Sequence, residues 1–556
     1  MSAAPLTRSD CFLAAALAAL TVVAGCWRMA PAVCGLFHDD AIYVSTAKAL
    51  AQGEGYRLID VPGAPLQTKY PILYPAILSV IWRAWPNFPD NLVVMQGLTL
   101  LSAAFTVALG YLYLVRFGYF TRALAASAGM VCATAPFFLY FAVQTMAEMP
   151  FALLSLVALW GVESHVRQAE MPRRSQLVWG VALALPFLCR TIGATVVVSG
   201  LWVLLLHRRP LRYFAIGAAC AAAPWIAWSL LGRGIWEQNR IEGYYTDYFG
   251  CWTSTGLSLV GRVFFTNALM VAQGSGDLSL EGASAVLEAA IGRKSAFFVL
   301  MIVGLTPWLA MIPDLRRGRV LPWILAAYLG AVLLWPWPPY RFLVPILPFV
   351  IAYLLSAPAA ILRRWQGMAI GRLAGTVGLG AIVLANGGLL LRHHQITEEY
   401  GTLLARHSET PVTWAPYERT FAWLRENSQP QDIVATWFDS MAALYSGRQS
   451  IRPFAYDPGP LFYGDQQAVE FDPDVLAATL VRYDARYFVQ SPLPGCAEDE
   501  PLRKVVQELR LRYPQWLVIA YQDADLRFVV YRLEPRHVPP DKPHEPARRI
   551  AAHAKP

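Results

Sequence analysis

Residues 92–122 read LVVMQGLTLLSAAFTVALGYLYLVRFGYFTR, and this stretch decides the fold class. Residues 92–115 contain no charged side chain, and they are followed closely by Arg116 and Arg122. A helix needs about 20 mostly apolar residues to cross the hydrocarbon core of a bilayer. The stretch therefore predicts a membrane-spanning helix that ends in a basic loop.

Ten further apolar segments have the same character. They are residues 11–30, 123–143, 147–164, 177–189, 191–206, 213–232, 296–313, 320–336, 343–361 and 373–391. Segments 177–189 and 191–206 are short and separated only by Arg190, so they predict either a tight hairpin or one broken helix. With 56% hydrophobic and 15% charged residues, the composition excludes an ordinary soluble enzyme. We expect a polytopic, all-α membrane protein with about eleven transmembrane helices.

The arginines between these segments predict the orientation of the chain. Every second loop carries an arginine cluster, and cytoplasmic loops are the ones enriched in Lys and Arg. The clusters are Arg8, Arg116 with Arg122, Arg167 with Arg173 and Arg174, Arg208 with Arg209 and Arg212, Arg316 with Arg317 and Arg319, and Arg363 with Arg364 and Arg372. The N-terminus is therefore expected in the cytoplasm. The net charge of +8 lies largely in such clusters, which does not favour a nucleic-acid partner.

Three longer segments are expected on the opposite, extracytoplasmic face: 31–91, 233–295 and the chain from His393. In the first, 40–52 and 71–85 have apolar residues at helical spacing and predict amphipathic helices in the membrane interface. Patterns of helix and strand alternate through 392–534 and predict a small α/β domain after a membrane domain of residues 1–391. The tail 535–556 is rich in Pro, His and charge and is expected to be disordered.

Six ionisable residues near the apolar segments are the candidate functional groups, because such residues are costly beside a membrane. They are Asp39, Asp40, Lys69, Glu148, Arg190 and Arg341. The predicted topology places all six at the extracytoplasmic face, although they come from separate segments. The acids have an alternative role as helix N-terminal caps. For the cations, the alternative is that they extend to the membrane interface.

Carboxylates and cations together suit the transfer of a group from a lipid phosphate to a hydroxyl. Arg and Lys bind phosphate and stabilise the charge that grows on a leaving group. A carboxylate removes the proton of the attacking hydroxyl. Lys69, Arg190 and Arg341 are thus the candidate phosphate ligands, and Asp39, Asp40 and Glu148 the candidate catalytic acids and bases.

Several motifs resemble the GT-C glycosyltransferases, in the bacterial branch related to protein O-mannosyltransferases and to the aminoarabinose transferase of lipid A. The motifs are FHDDAIY at 37–43, GEGY at 53–56, TKYPILYP at 68–75, AEMP at 147–150, Arg190-Thr191 and YRFLVPILP at 340–348. The resemblance covers the membrane part and, by layout, the C-terminal domain. It implies an inverting transferase in the bacterial plasma (inner) membrane that uses a polyprenyl-phosphate sugar at the extracytoplasmic face.

The resemblance also implies roles for individual residues. The catalytic acid of the first-loop pair corresponds to Asp39, with Asp40 beside it where many relatives have Glu. The second acidic position corresponds to Glu148, where some relatives have Asp. Lys69 matches the phosphate-binding lysine before a proline, and Arg190 matches the basic residue that opens the sixth helix. Some relatives bind a divalent cation, so one is a candidate cofactor, although no ligand set for a metal is evident in this sequence.

Aromatic residues are the candidate sugar or lipid contacts. They are Tyr43 and Tyr70 in the first-loop motifs, and Trp236, Tyr244 and Tyr245 in the second loop. An interfacial aromatic belt is the alternative interpretation of the second loop.

The function predicted from the sequence is transfer of a sugar from a polyprenyl phosphate to a hydroxyl of an envelope glycan, such as lipopolysaccharide, or of a lipid or protein. A transporter or flippase of lipid-linked sugars is the alternative, although the expected internal repeat is not evident. A scaffold without catalytic activity is a third reading, which leaves the charged residues unexplained.

Overall fold

The computed structural model describes residues 5–29, 33–168, 170–235, 239–250, 257–362, 369–400, 413–455, 458–464, 471–491, 500–524 and 528–535. The chain divides into two compact units. We call Met1–Leu58, Leu66–Leu403 and Asp457–Ala468 the membrane unit. The C-terminal unit comprises Ile59–Pro65, Leu404–Tyr456 and Val469–Pro556. The predicted disordered tail, 535–556, lies outside the described residues except for Pro535.

The described part of the membrane unit is helical. Its helices are α1 (Arg8–Arg28), α2 (Asp39–Gln52), α3 (Leu73–Ala84), α4 (Leu92–Arg116), α5 (Arg122–Thr134), α6 (Pro136–Ala142), α7 (Glu148–Arg167), α8 (Arg173–Cys189), α9 (Ala194–Leu206), α10 (Arg212–Gly232), α11 (Arg240–Thr246), α12 (Leu257–Ser279), α13 (Glu281–Ile291), α14 (Arg293–Arg316), α15 (Val320–Leu334), α16 (Tyr340–Leu343), α17 (Leu347–Leu362), α18 (Ala369–Tyr400) and α21 (Pro458–Tyr463).

Where the structure describes them, all eleven segments predicted to span the membrane are mainly helical. Within the described residues, seven helices are long and apolar enough to cross a bilayer, and a bent pair makes an eighth candidate. The helices at 191–206 and 320–334 are apolar but shorter. The multi-pass character is thus confirmed, whereas the count of eleven spans and the orientation of the chain stay predictions.

The segment predicted as one span at 123–143 is broken. Helices α5 and α6 meet at Ala135 with a bend of 66°. Pro136 begins α6, and proline has no N–H and disfavours helical geometry in the residue before it. The prediction of one continuous helix was wrong at this point.

The segments on either side of Arg190 form a tight hairpin, since a Cβ on Gly200 of α9 would lie 2.9 Å from Cδ1 of Leu183 of α8. Helix α8 ends at Cys189, Arg190 is extended, and a 3₁₀ turn at Thr191–Gly193 leads into α9. Gly193 makes this turn possible, because a Cβ at that residue would lie 2.3 Å from the carbonyl carbon of Pro186. The break leaves Arg190 between two helix ends.

Both helices predicted in the first loop are present, as α2 and α3. Helix α3 is one-sided, with Leu78 and Trp82 buried and Val80 exposed. Helix α2 is buried on nearly every side from Asp40 to Ala47. It is therefore part of the protein core and not a one-sided interfacial helix.

The segment 233–295, expected to be a loop, contains three described helices, α11 to α13. Helix α12 packs along α14 through glycines, because a Cβ on Gly304 would lie 1.7 Å from the carbonyl oxygen of Ala272. A Cβ on Gly276 would likewise lie 2.2 Å from the carbonyl oxygen of Leu300. The two backbones are thus in direct contact.

The C-terminal unit is the predicted small α/β fold. It contains α19 (Ala415–Asn427), β1 (Ile433–Thr436), α20 (Asp439–Ser446), β2 (Ser450–Ile451), α22 (Pro473–Arg482), β3 (Ala485–Gln490), α23 (Glu500–Arg512), β4 (Leu517–Gln522) and β5 (Val529–Leu533). The sheet order is β2-β1-β3-β5-β4. Strand β1 pairs in parallel with β2 and β3, whereas β5 pairs antiparallel with β3 and β4.

Candidate active site

A strained turn presents Asp39 at the start of α2. The N–H of Asp39 donates to the carbonyl oxygen of Phe37 at 2.7 Å, and His38 between them has φ 64° and ψ −48°. This is a γ-turn with positive φ, which is rare and strained for a residue with a side chain. Backbone strain of this kind persists only where surrounding contacts enforce it, and it clusters at functional sites.

Asp40 provides those contacts. Its carboxylate accepts hydrogen bonds from the N–H groups of Gly35 at 2.7 Å and Phe37 at 3.2 Å. The side chain is fully buried. Asp40 therefore stabilises the turn by bonding to its backbone, while the neighbouring carboxylate of Asp39 has different partners.

Arg341 joins the two acids of the site. Its Nη2 donates to Oδ2 of Asp39 at 2.5 Å, and its Nε donates to Oε1 of Glu148. Arg190 forms a second ion pair with the same Oε1. Asp39, Glu148, Arg190 and Arg341 form what we call the ion-pair cluster.

The helix breaks explain how Glu148 and Arg190 meet. Glu148 is the first residue of α7, where the helix dipole favours an acid, and Pro150 follows in the first turn. The thiol of Cys189 lies 3.8 Å from the carbonyl oxygen of Ala147, so the end of α8 packs on the start of α7. Glu148 is fully buried, and its Oε2 has no hydrogen-bond partner among the described residues.

Lys69 lies next to the cluster, with Tyr70 as the link. The hydroxyl of Tyr70 donates to Oδ1 of Asp39 at 2.5 Å, and its ring centroid is 5.6 Å from Nζ of Lys69. Nζ also donates to the carbonyl oxygen of Tyr244 at 2.6 Å and lies 4.4 Å from the centroid of that ring. The buried amide of Gln67 accepts from the N–H groups of Lys69 and Tyr70 and fixes this loop.

The aromatic candidates differ in how accessible they are. Tyr43 is buried, with its ring edge-to-face against Tyr70 and Tyr74, so it supports Tyr70 from behind. Tyr245 is also buried, whereas Tyr244 is half-buried and its hydroxyl lies 3.3 Å from Nδ1 of His38. Trp236 lies outside the described residues.

The two adjacent aspartates have opposite pKa shifts. Burial would raise the pKa of Asp39, but the charge of Arg341 and the hydrogen bonds from Tyr70 and Arg341 outweigh it and lower the pKa to about 2. Burial also raises the pKa of Asp40, and the backbone hydrogen bonds only partly oppose it, so the pKa is about 6. Asp39 thus has the lower pKa of the pair and stays ionised at pH values where Asp40 takes up a proton.

The described residues do not offer a ligand set for a divalent cation. No group of three or more His, Cys, Asp or Glu side chains is close enough to hold a metal in the part of the chain that the structure describes. Arginines bind Asp39 and Glu148, and backbone N–H groups bind Asp40.

Four of the six charged residues selected from the sequence are thus directly bonded, and Lys69 is linked to them through Tyr70. Asp40 is separate from the cluster in its bonding. His38 and Gln67 were missed by the sequence analysis. The strained φ of His38 has no signature in the residue type, whereas Gln67 stands in the QTKYP segment and was open to selection as a polar neighbour of Lys69.

No protein-family model matches the sequence, and no curated protein matches it either. Solved structures do match. One is the crystal structure of ArnT from Cupriavidus metallidurans bound to undecaprenyl phosphate, with a TM-score of 0.52 and 14% identity over 95% of this chain and 99% of that chain. Another is the archaeal oligosaccharyltransferase AglB from Archaeoglobus fulgidus, in complex with an inhibitory peptide and a dolichol-phosphate. Its TM-score is 0.53, with 12% identity over 96% of this chain and 75% of that chain.

Both similarities extend over nearly the whole of this chain, and at these identities they concern the fold. ArnT and AglB are glycosyltransferases of the GT-C fold. The fold predicted from the motifs around Asp39, Lys69 and Arg341 is therefore confirmed, and the protein has the GT-C fold.

Proposed function

We propose that the protein is a membrane glycosyltransferase that moves a sugar from a polyprenyl phosphate to a hydroxyl of an envelope glycan, lipid or protein. The ion-pair cluster is the observation that carries this proposal. It places two carboxylates and two guanidinium groups in direct contact. Nζ of Lys69 lies 5.6 Å from the ring centroid of Tyr70, which bonds to the cluster. Such a site has both a base and the ligands of a phosphate.

In the proposed reaction the acceptor oxygen attacks the anomeric carbon from the face opposite the phosphate, which inverts that carbon. The bond between this carbon and the phosphate oxygen breaks, and polyprenyl phosphate leaves with the electron pair. The acceptor proton passes to Asp39, which acts as general base. Arg341, Arg190 and Lys69 stabilise the negative charge that grows on the leaving phosphate.

The charges of Lys69 and the four residues of the ion-pair cluster fit both the substrate and the product of the reaction. Two carboxylates and three cations sum to +1, which balances the single charge of a sugar phosphodiester. After the transfer Asp39 is protonated, so the five groups sum to +2. This matches the two charges of a polyprenyl phosphate once the sugar has left.

Arg341 has donors left for the phosphate. A guanidinium carries five N–H groups, and the hydrogen bonds of Arg341 within the described residues use two of them. A bound phosphate also attracts Arg341 away from Asp39. We expect that competition to raise the proton affinity of Asp39 when the donor is present.

The similar structures support a lipid phosphate as the donor. ArnT was solved with undecaprenyl phosphate and AglB with a dolichol-phosphate. Both are polyprenyl-type phosphates, and the described cluster has the cations to hold such a group. The sugar and the acceptor differ among proteins of one fold and have to be measured.

The ends of the helices support an extracytoplasmic site in the plasma membrane. Helix α7 begins at Glu148 in the cluster and ends at Arg167 in an arginine cluster. The site thus lies at the end of this helix away from the arginines, which mark the cytoplasmic side. By the same rule we propose that the C-terminal α/β domain, residues 392–534, is extracytoplasmic and follows a catalytic membrane domain of residues 1–391.

Transfer in proteoliposomes tests the function. Wild-type protein and Asp39→Asn are supplied with undecaprenyl-phosphate sugars labelled in the sugar and with an envelope extract as the source of acceptor, and passage of the label from the lipid to the acceptor is measured without a membrane gradient. We expect Asp39→Asn to be at least about 100-fold slower, because the base is lost. Asp90→Asn, which changes an exposed aspartate, is the matched control and should retain activity.

Two results would contradict the proposal. Full activity of Asp39→Asn would remove Asp39 as the base. Movement of the intact lipid-linked sugar across the bilayer without cleavage would instead indicate a transporter. Mass analysis of envelope glycans from cells with and without the protein then identifies the sugar and its acceptor.

A further inference from the structure

The segment that leads to Arg341 has few backbone hydrogen bonds to hold it. Residues 335–341 read WPWPPYR. Pro336, Pro338 and Pro339 have no N–H, so the carbonyls of Val332 and Leu334 in α15 cannot form the usual bonds to the residue four positions ahead. The position of Arg341 therefore depends on side chains that hold this segment.

Asn267 of α12 binds the start of the 335–341 segment. The side-chain amide donates to the carbonyl oxygens of Trp335 at 2.8 Å, Val332 at 3.1 Å and Leu333 at 3.3 Å. Asn267 is fully buried on an otherwise mainly apolar stretch of helix. A buried amide is costly unless its hydrogen bonds are made, and here they are made to the end of α15.

Two other residues of α12 hold the end of the segment. The hydroxyl of Tyr340 donates to Oε1 of Gln273 at 2.7 Å. An edge of the Tyr340 ring contacts the helix at Gly274, where a Cβ would come within 2.9 Å of it. Arg341 is the next residue, so one helix fixes the chain at both ends of the proline-rich stretch.

The hydroxyl of Tyr463 sets the direction of the Asn267 amide. It donates to Oδ1 of Asn267 at 2.6 Å, which turns the NH₂ group toward the carbonyls of α15. Tyr463 belongs to α21, a short helix of the membrane unit whose place in the sequence is between strands β2 and β3. Phe462 of the same helix packs on Trp337, with ring centroids 5.3 Å apart.

We propose that Asn267, oriented by Tyr463, is a positioning residue that holds Arg341 for the lipid phosphate. Asn267 does not touch the substrate and acts through the 335–340 segment. This role rests on the proposed function, in which Arg341 binds the phosphate. It also gives α21 a part in catalysis, although its sequence lies between two strands of the C-terminal unit.

Binding of undecaprenyl phosphate to the purified full-length protein in nanodiscs is the readout. We expect Asn267→Leu to weaken binding about tenfold, the scale of one lost hydrogen-bonding group. Tyr463→Phe removes only a hydroxyl and should weaken binding about threefold. Asn267→Gln keeps the amide and should recover part of the affinity.

Matched controls separate positioning from general loss of stability. Asn386→Leu also removes a fully buried asparagine of the membrane unit, one that bonds to Gly282 and Thr134. Tyr353→Phe removes a hydroxyl that bonds to Asp314. Both controls should lower the melting temperature as much as the test variants and leave the affinity within about twofold of wild type.

A double-mutant cycle shows whether Asn267 acts through Arg341. On an Arg341→Ala background, Asn267→Leu should cost less than about twofold, because the group that it positions is already gone. Independent effects of the two changes would overturn the proposal. So would wild-type affinity in both Asn267→Leu and Tyr463→Phe while Arg341→Ala binds weakly. If Arg341→Ala binds undecaprenyl phosphate as tightly as wild type, the phosphate role of Arg341 in the proposed function fails instead.

Discussion

Arg341 donates from Nη2 to Oδ2 of Asp39 at 2.5 Å, although 302 residues separate the two in the sequence. The proposed base is thus paired with a cation. Because this pairing holds the pKa of Asp39 at about 2, the carboxylate is ionised but a poor proton acceptor. Under the proposed mechanism, Asp39 becomes a good base only when a phosphate draws Arg341 away.

The first prediction concerns Tyr70, whose hydroxyl donates to Asp39 and helps to lower its pKa. Tyr70→Phe removes that bond, so the pKa of Asp39 rises. The acid limb of kcat/KM, which reports the free protein, should therefore move to higher pH. Tyr353→Phe, which changes a tyrosine bonded to Asp314, should leave the limb in place. An unchanged profile in Tyr70→Phe would argue against Asp39 as the group that titrates.

The second prediction concerns the buried pair of Glu148 and Arg190. Removing one partner of a buried ion pair typically costs about 3–5 kcal/mol, because the other charge is left uncompensated. We expect Glu148→Gln and Arg190→Gln each to destabilise the protein strongly. The double variant should lose less than the sum of the two, as measured by denaturation in detergent.

The exposed pair Glu508 and Arg512 is the matched comparison. An exposed pair one helical turn apart is worth below about 1 kcal/mol, so Glu508→Gln should have little effect. Additive losses for Glu148→Gln and Arg190→Gln would contradict the direct coupling that the structure shows.

The sequence predicted which charged residues come together. It did not predict which of them bond to one another. The convergence of Asp39, Glu148, Arg190 and Arg341 follows from their places at the ends of apolar segments. Which of two adjacent aspartates faces the arginines depends on the γ-turn at His38, and residue type does not encode that conformation. Packing over 302 residues decides that Arg341 is shared between two acids.

Helix α12 shows why part of the fold escaped prediction. Its residues 273–277, QGSGD, read as a loop, since glycine and short polar residues favour turns. In the structure Gly274 and Gly276 are contact points for Tyr340 and α14 instead. The break at Ala135, in contrast, could have been predicted from Pro136.

The third prediction is a pH dependence of stability that arises from Asp40. Its pKa is about 6 in the folded protein against an ordinary value of 3.8, so the folded state binds the proton more tightly than the unfolded state. Stability from this group is full below pH 4 and is lost as the pH rises through 6. Asp40→Asn should remove that fall in melting temperature between pH 4 and 6.

Asp39→Asn is the control for this effect, and it has the opposite sign. The pKa of Asp39 is lowered, so its contribution is lost as the pH falls below 4. The fall between pH 4 and 6 should therefore persist in Asp39→Asn, but be smaller, because the charge of Asp39 contributes to the raised pKa of Asp40. The same slope in wild type and Asp40→Asn would show that Asp40 is not the responsible group.

The fourth prediction tests the contact of α12 with α14. A Cβ at Gly304 would lie 1.7 Å from the carbonyl oxygen of Ala272 and 2.5 Å from the backbone nitrogen of Gly276. Backbone atoms cannot rotate away as a side chain can, so Gly304→Ala must push the two helices apart. We expect the free energy of unfolding to fall by about 1–3 kcal/mol or more, seen as a lower melting temperature. Binding of undecaprenyl phosphate should also weaken, because α12 carries Asn267 and Gly274.

Gly378→Ala on α18 is the control, since nothing described lies within 4 Å of its added methyl group. It should keep wild-type affinity and stability, and equal behaviour of the two variants would show that the α12–α14 contact does not control the site.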